Sequence, residues 1–577
     1  MSFLPNKKKQ PTIEIGRSPS NQYELEVQFI KGINLLKINE LSKAKNIFTQ
    51  ILIRKPDHFK SLHILGIIAA FCKEHDLALD LIGKSLKINS DNVQAYYHQG
   101  SSLDALKRFK DAIASYDMAI KINPNFAEAY YKRGDCYREL NQLVEAVVNF
   151  DRAIELKSNF IEAYNKKGVV LLEQRYLKKA LELFDYALYI KYDFADVHNN
   201  RGIVLAELQC LEESLVSFNN ALIINPSHFE AHVNHGNVLI QLMRLEDAHT
   251  SYDKAIEINP DMPEAYWGKS VALLLNGEFE QGLKFYEWRW EIRDLVKHKR
   301  NFAQPLLLST DEITSKTVLL HAEQGLGDTI QFCRYASLLK NKGARVVMEL
   351  PKTLIYLLSD LHGVDEIVEK GKPLPNFDYQ CPMLSLPLAF KTDLTNIPNL
   401  NKYISANAKK CEEWEKILGK KKNQRVGLVW TGSEIHKNDH NRSLTLKELL
   451  PLLPSEYQYV CLQKELREID KQSLIGSEIK YYGDQINDFA DTAAICELMD
   501  IVICVDTSVA HLSGAMGKTT WVLLPYVPDW RWLLNRDNSP WYESMKLYRQ
   551  EKDRKWTPVL LRVVKDLQEF LQQGQQQ

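Results

Sequence analysis

A chain of 577 residues is too long for one hydrophobic core and points to about three or four domains. Its 73 lysines and arginines against 74 acidic residues leave a formal net charge of −1, which excludes a global field drawing the molecule to nucleic acid or anionic lipid. The nine cysteines are scattered without a C-x-x-C pair, which argues against a zinc site or a disulfide framework and fits a reducing, cytoplasmic compartment.

Residues 1–20, MSFLPNKKKQPTIEIGRSPS, carry lysines but no apolar core of signal-peptide length and read as a disordered basic tail. The longest early apolar stretch, LHILGIIAAF (62–71), is about half of what a membrane crossing needs, so no membrane insertion is expected. From 21 to 294 the chain repeats itself. Glycine recurs at 32, 66, 100, 134, 168, 202 and 236, every interval being 34. Twelve residues after each glycine comes a small residue (Ala44, Ala78, Ala112, Ala146, Ala180, Ser214, Ala248). Four further on comes a bulky apolar one (Phe48, Ile82, Tyr116, Phe150, Phe184, Phe218, Tyr252). A weaker eighth unit keeps Tyr286 but has Ser270 and Gly282 at the other two positions.

Each unit reads as a helical hairpin whose first helix needs a small residue where the second crosses it, the aromatic filling the groove between neighbouring pairs. The pattern resembles the tetratricopeptide repeat, which implies an all-α superhelix with a concave groove for a protein partner. Such an array can also serve only as a spacer or dimerisation element. Protein O-linked N-acetylglucosamine transferases are similar in architecture, and carry an asparagine ladder two positions before the glycine. Only Asn200 and Asn234 match that ladder here.

A linker at 295–316 precedes a change of pattern to strand–loop–helix alternation. TVLLHA (317–322), ARVVMEL (344–350) and VDEIV read as buried strands, with a helix around 329–340. A helix-like segment, KKCEEWEKILGKKK, separates them from RVGLVWTGS (425–433), YQYVCLQK (457–464), IVICVD (501–506) and TTWVLLP (519–525). Continuous apolar strands in this alternation indicate parallel sheets covered on both faces. The expectation is two Rossmann-like domains, 317–405 and 406–577, with ligand held between their strand carboxyl ends.

Three stretches carry candidate chemistry. In EQGLGDTIQF, Gly325 and Gly327 permit a tight turn and close backbone approach, and Asp328 at the helix entry either caps free N–H groups or does chemistry. In WTGSEIHKNDHNRSLTLKELL (430–450), Thr431, Gly432 and Ser433 follow a strand, with Lys437, His440 and Arg442 close behind. Cations beside small hydroxyl residues suit a diphosphate. His436 and His440 have a metal-like spacing only on a helix, and this segment reads as a loop, so no metal site is assigned. Thr445 and Glu448 form a capping box for the next helix.

In ICVDTSVAHLSGAMGKTTWVLLP (503–525), Thr507 reads as the N-cap of a short helix from Ser508 to about Met516, stopped by Gly517. Its free N–H groups make an anion seat worth about 0.3–2 kcal/mol. Asp506 beside that seat suits a ligand with hydroxyl or amide donors next to a phosphate, such as a nucleotide-sugar. His511 leans toward the same end, as part of the site or as a satisfied core histidine.

DTSVAHLSGAMGKTTWVLLP resembles the D-T-x-x-x-H-L-A-x-A-x-x-x-P element of glycosyltransferase family 9, the bacterial heptosyltransferases, and GLGD resembles that family's N-terminal loop. DFADTAA, HLSGAMG, DWRW and the segment ending in SPWY are closer to bacterial tetratricopeptide proteins with a heptosyltransferase-like C-terminal half. The resemblance implies a GT-B fold of two Rossmann-like domains, with metal-independent, inverting transfer from a nucleotide-sugar donor to a protein or glycan acceptor and no cofactor. Consistently, the chain contains no D-x-D sequence. By position, Asp328 matches the general base. Thr431, Ser433 and Lys437 fall where the family contacts the diphosphate, and Asp506, Thr507 and Ser508 match the donor turn. Ser508 stands where the family usually has glycine, which narrows the space near the donor. Five of the ten tryptophans (521, 530, 532, 541, 556) fall in the last 57 residues, where they can pack an interdomain surface and offer a ring to a base or sugar. The rival expectation is a non-catalytic scaffold whose second half only binds a nucleotide-sugar.

Overall fold

The computed structural model describes residues 19–574 except 294, 399 and 437. The expected tail therefore lies outside the described residues, apart from its last two, which open the helix Pro19–Lys37. By internal contacts the chain forms two compact units, one up to Pro226 and one from Ser227.

Among the described residues the first unit holds twelve helices, from Pro19–Lys37 to Leu211–Ile224, paired as antiparallel hairpins. The glycine period has a direct steric cause. A Cβ on Gly168 would lie 2.5 Å from the Phe184 ring, and one on Gly100 would lie 2.6 Å from Tyr116. These rings thus pack against the glycine of their own hairpin, while Tyr252 also fills the expected groove between pairs, a Cβ on Gly268 of the next hairpin lying 2.5 Å from its ring. Ala112, Ala146 and Ala180 are fully buried beside them. A second period is carried by the backbone alone. Asn39, Lys73, Lys107, Asn141, Arg175, Gln209 and Met243 all have φ between 58° and 64°, and the series ends at Gly277 with φ 86°. At Lys107 this left-handed turn lets two amides return to the preceding helix, Lys107 N–H to Asp104 C=O and Arg108 N–H to Leu103 C=O, at 2.8 and 2.9 Å. Gly168→Val is expected to destabilise the first unit by about 1–3 kcal/mol through overpacking against Phe184. A urea titration followed by circular dichroism measures it, and an unchanged midpoint would contradict the steric account.

The second unit opens with the helices Phe229–Gln241, Leu245–Ile258, Pro263–Asn276 and Phe279–Tyr286, followed by two parallel sheets. The first sheet contains β1 (Thr317–His321), β2 (Arg345–Leu350), β3 (Glu366–Glu369) and β4 (Tyr379–Pro382), in the order β3-β2-β1-β4. The second contains β5 (Arg425–Val429), β6 (Gln458–Cys461), β7 (Lys480–Tyr481), β8 (Ile501–Val505), β9 (Thr520–Leu524) and β10 (Met545–Arg549). Its order is β10-β9-β8-β5-β6-β7, the doubly wound arrangement, with the order reversing between β5 and β8. The corresponding reversal in the first sheet lies between β1 and β4. β5, β8 and β9 are buried along their whole length, which explains their unbroken apolar sequences. β4, β7 and β10 were not expected from the sequence. They are short or mixed in polarity, with the β10 pattern MKLYR carrying Lys546 exposed.

The helix expected around 329–340 is two helices, Leu326–Phe332 and Tyr335–Asn341. Arg334 Nε–H donates to Gln331 C=O at 2.8 Å, the carbonyl that Tyr335 N–H would use in an unbroken helix. The helix Thr557–Gly574 closes the second sheet, burying Val559, Val563 and Leu567 with Trp430 and Trp521.

The last helical hairpin is built into this unit. Phe279 and Tyr286 pack against Trp530, with ring centroids at 5.9 and 6.1 Å. Arg289, with no exposed surface, grips Glu323 through two hydrogen bonds of 3.0 Å and donates to Ser385 Oγ at 2.8 Å. Glu323 lies two residues before Gly325, so this clamp fixes the start of the loop that ends at Asp328.

Candidate functional site

The two points of strand-order reversal place the loops that matter. The loop after β1 and the helix start that follows carry Gly325, Gly327 and Asp328; the loop after β5 carries Thr431–Ser433, and the turn into the helix after β8 carries Asp506–Ser508. The first meets the third. A Cβ on Gly327 would stand 2.9 Å from His511 Cδ2 and 3.3 Å from Ser508 Cα, so glycine is required for this approach. The helices Leu326–Phe332 and Ser508–Ala515 thus meet near their N-termini.

The helix Ser508–Ala515 runs close to the expected span, with Thr507 as N-cap and Gly517 beyond its end at φ 70°. Thr507 makes no side-chain cap, and its buried Oγ1 has no hydrogen-bond partner. His511 is tied into the core. Its Nδ1 lies 3.0 Å from Tyr542 Oη, and its ring stacks on Trp532 with centroids 5.3 Å apart. Burial, reinforced by Arg531, lowers its pKa to about 3, so the imidazole is neutral at physiological pH.

Asp328 plays both parts that its position allows. Its Oδ2 accepts from Gly325 N–H at 2.8 Å, capping the helix, and its Oδ1 accepts from Arg531 Nη2 at 2.7 Å. The side chain keeps 19% exposure. Burial raises its pKa, with Arg531 and the Gly325 amide acting against the rise. Arg531 also donates through Nη1 to Asp529 Oδ1 at 2.7 Å, while its Nε, also buried, has no partner. At Asp529 burial disfavours the charge, but Arg531 outweighs it and holds the pKa below the ordinary value. Burial, and then the neighbouring Asp529, push Asp506 up to about 6. Three half-buried carboxylates therefore gather around the buried guanidinium of Arg531.

Arg442 joins this region from the β5 side. Its Nη1 donates to Asp506 C=O at 3.0 Å, and its guanidinium covers Gly432, where a Cβ would lie 2.6 Å from Nη2. Thr431 is held structurally, its hydroxyl accepting from Gln463 Nε2 at 2.8 Å. Ser433 is exposed, and Lys437 lies outside the described residues. The Thr445–Glu448 capping box is present, with Thr445 N–H donating to Glu448 at 2.9 Å. Among the described residues no group of three or more metal-ligating side chains is found.

Sequence reasoning did not single out Asp529, Arg531 or Tyr542 as site residues, and took Trp532 only as one of five tryptophans able to offer a ring. The available signal was DWRW itself, two charges set between rings in an apolar stretch. Directly after it Leu533 sits at φ 51°, ψ −170°, a region nearly reserved for glycine and costing about 1–3 kcal/mol. The loop bearing Arg531 is thus held in strain beside the carboxylates.

Comparison with known proteins bears on the helical part. A family model described as "TPR repeat" matches residues 100–137, 134–174 and 236–277. Protein FlbA of Caulobacter vibrioides is 22% identical over 335 residues, covering 52% of this chain and 54% of that protein. The chain thus spans about half the length of the curated relative it matches. Among solved structures, YrrB, a TPR protein with an unusual peptide-binding site, is 26% identical over 33% of this chain and 97% of its own, with a TM-score of 0.28. The Cut9–Hcn1 tetramer is 18% identical over 44% of this chain and 50% of its own, with a TM-score of 0.38. No helix among the described residues is long and apolar enough to cross a membrane. The 34-residue helical hairpins are tetratricopeptide repeats.

Proposed function

We propose that the second unit is a GT-B-type glycosyltransferase taking its sugar from a nucleotide-sugar, and that the repeats engage a protein partner or the acceptor. The observation that carries this reading is the meeting of the helix start that bears Gly327 and Asp328 with Ser508 of the Asp506–Thr507–Ser508 turn, each following a strand at its sheet's reversal point. The N-terminus of the Ser508–Ala515 helix, with the unpartnered Thr507 hydroxyl beside it, suits the diphosphate, and Asp506 suits donors on the ribose or sugar. Asp328 takes the proton from an acceptor hydroxyl whose oxygen attacks the anomeric carbon. The bond from that carbon to the diphosphate oxygen breaks, and its electron pair leaves with the nucleoside diphosphate. Attack opposite the leaving group inverts the anomeric centre, and no metal is required.

Calorimetric titration with UDP, GDP and ADP and their hexose and heptose conjugates tests the site. One of them is expected to bind, with binding unaffected by excess chelator and weakened in Asp506→Ala and Thr507→Ala. Unchanged affinity in both variants would remove the assignment. A second reading, a scaffold that only binds the nucleotide-sugar, is favoured by one feature. Both oxygens of Asp328 are already engaged, by Gly325 and by Arg531.

A further inference from the structure

That engagement is open to a different explanation. A carboxylate that accepts from an amide on one oxygen and from a guanidinium on the other is poorly placed to take a proton. The two contacts differ in kind. The Gly325 contact is local to the helix turn, whereas the Arg531 contact spans 203 positions and reaches from the second sheet's side to the first. Arg531 is held independently by Asp529, through Nη1 at 2.7 Å and through its own backbone N–H at 3.0 Å, so its fork can turn about that anchor while Nη2 lets go. Its flat face rests on the rings of Trp530 and Phe332, at 4.7 and 5.4 Å, which permit in-plane sliding. A third donor, Nε, is buried with no partner. Arg442, the other guanidinium nearby, also has a buried Nε without a partner, but its Nη1 is held on the Asp506 carbonyl rather than on Asp328.

We propose that Arg531 couples donor binding to release of the base: a diphosphate seated at the Ser508–Ala515 helix draws the guanidinium off Asp328, and only then is Asp328 free to accept the acceptor's proton. A diphosphate outcompetes Asp328 for the fork because it offers more negative charge and several oxygens in bidentate geometry, while Asp529 keeps the arginine in place throughout. Arg531 is then a positioning residue for Asp328, and donor must bind before acceptor is activated. This rests on the reading of the second unit as a nucleotide-sugar transferase.

The geometry makes an unusual demand, which calorimetry of the full chain with UDP, GDP, ADP and inorganic pyrophosphate can check. Asp328→Asn removes the competitor for the fork, so it tightens diphosphate binding by about tenfold, in line with the net worth of a charged hydrogen bond. Arg531→Gln weakens binding by about tenfold or more. In the Arg531→Gln background, adding Asp328→Asn brings no tightening, because the effect passes through the arginine. Equal tightening in both backgrounds would mean simple charge removal and overturn the proposal. No tightening in either would mean a static clasp between the two loops, with the same consequence. Arg531→Lys, which keeps the charge but not the fork, replaces Gln in the same cycle should the Gln variant not fold. Failure of all four probes to bind wild type would instead overturn the transferase reading, and this inference with it.

Discussion

Asp328→Asn is expected to lower turnover by about 100- to 10,000-fold, the usual contribution of a general base. Asparagine keeps the shape and can still accept from Gly325 N–H, so the helix cap survives. It cannot take the acceptor's proton. Arg531 retains Asp529, so the variant leaves no stranded cation and should remain folded. Initial rates of nucleoside diphosphate release with acceptor, at saturating donor, measure the loss, alongside a thermal midpoint. The expected signature is a fall in kcat without a rise in the donor KM. If Asp328 serves only as a cap, the rates of the two proteins will match.

The second large effect is on stability. Arg289→Met should cost the second unit about 3–5 kcal/mol, because it strands the Glu323 carboxylate in a fully buried position. Burial already raises the Glu323 pKa, and Arg289 is the main influence opposing that rise. Adding Glu323→Gln to Arg289→Met should recover part of the loss, since it removes the fully buried one of the two carboxylates, Glu323 and Glu287, that Arg289 pairs. Urea denaturation of the single and double variants tests this. A double variant as unstable as the single one would show that packing of the arginine, rather than its charge pairing, matters. The result also bears on function, since Glu323 opens the loop that carries Asp328.

What could be read from the sequence depended on whether the cause was local. The 34-residue period was visible because Gly168 and Phe184 answer to one steric demand repeated in every hairpin. The left-handed turn of the same period was not, because Asn, Lys, Arg, Gln and Met all fill it, and the two returning amide bonds hold it whatever the side chain. The turn after β8 was legible for the first reason: strand end, N-cap and stopping glycine lie within a dozen residues. Asp328 was legible as a position but ambiguous in role, and the structure shows why, since it both caps and pairs.

Arg531 was legible only as a member of DWRW, not as the partner of Asp328. Its meaning comes from a partner 203 positions away, beside the other sheet, and a strained loop whose Leu533 gives no hint of its backbone angle. Thr431 and Ser433 carry the right chemistry in sequence, yet Gln463 claims one and solvent surrounds the other. His511 looked equally suited to ligand or core, and Tyr542 and Trp532 bind it into the core.

The account turns on whether sugar leaves a nucleotide for an acceptor, and one measurement addresses that directly. The purified protein is incubated with radiolabelled UDP-, GDP- and ADP-linked sugars and with protein and glycan fractions from the native host, beside Asp328→Asn and Asp506→Ala controls. The account predicts label from one donor in acid-stable, covalent linkage to host material with wild type, and about a hundredfold less or none with either variant. Label incorporated equally by wild type and Asp328→Asn, or none from any donor by a wild-type protein that binds the nucleotide, would contradict it.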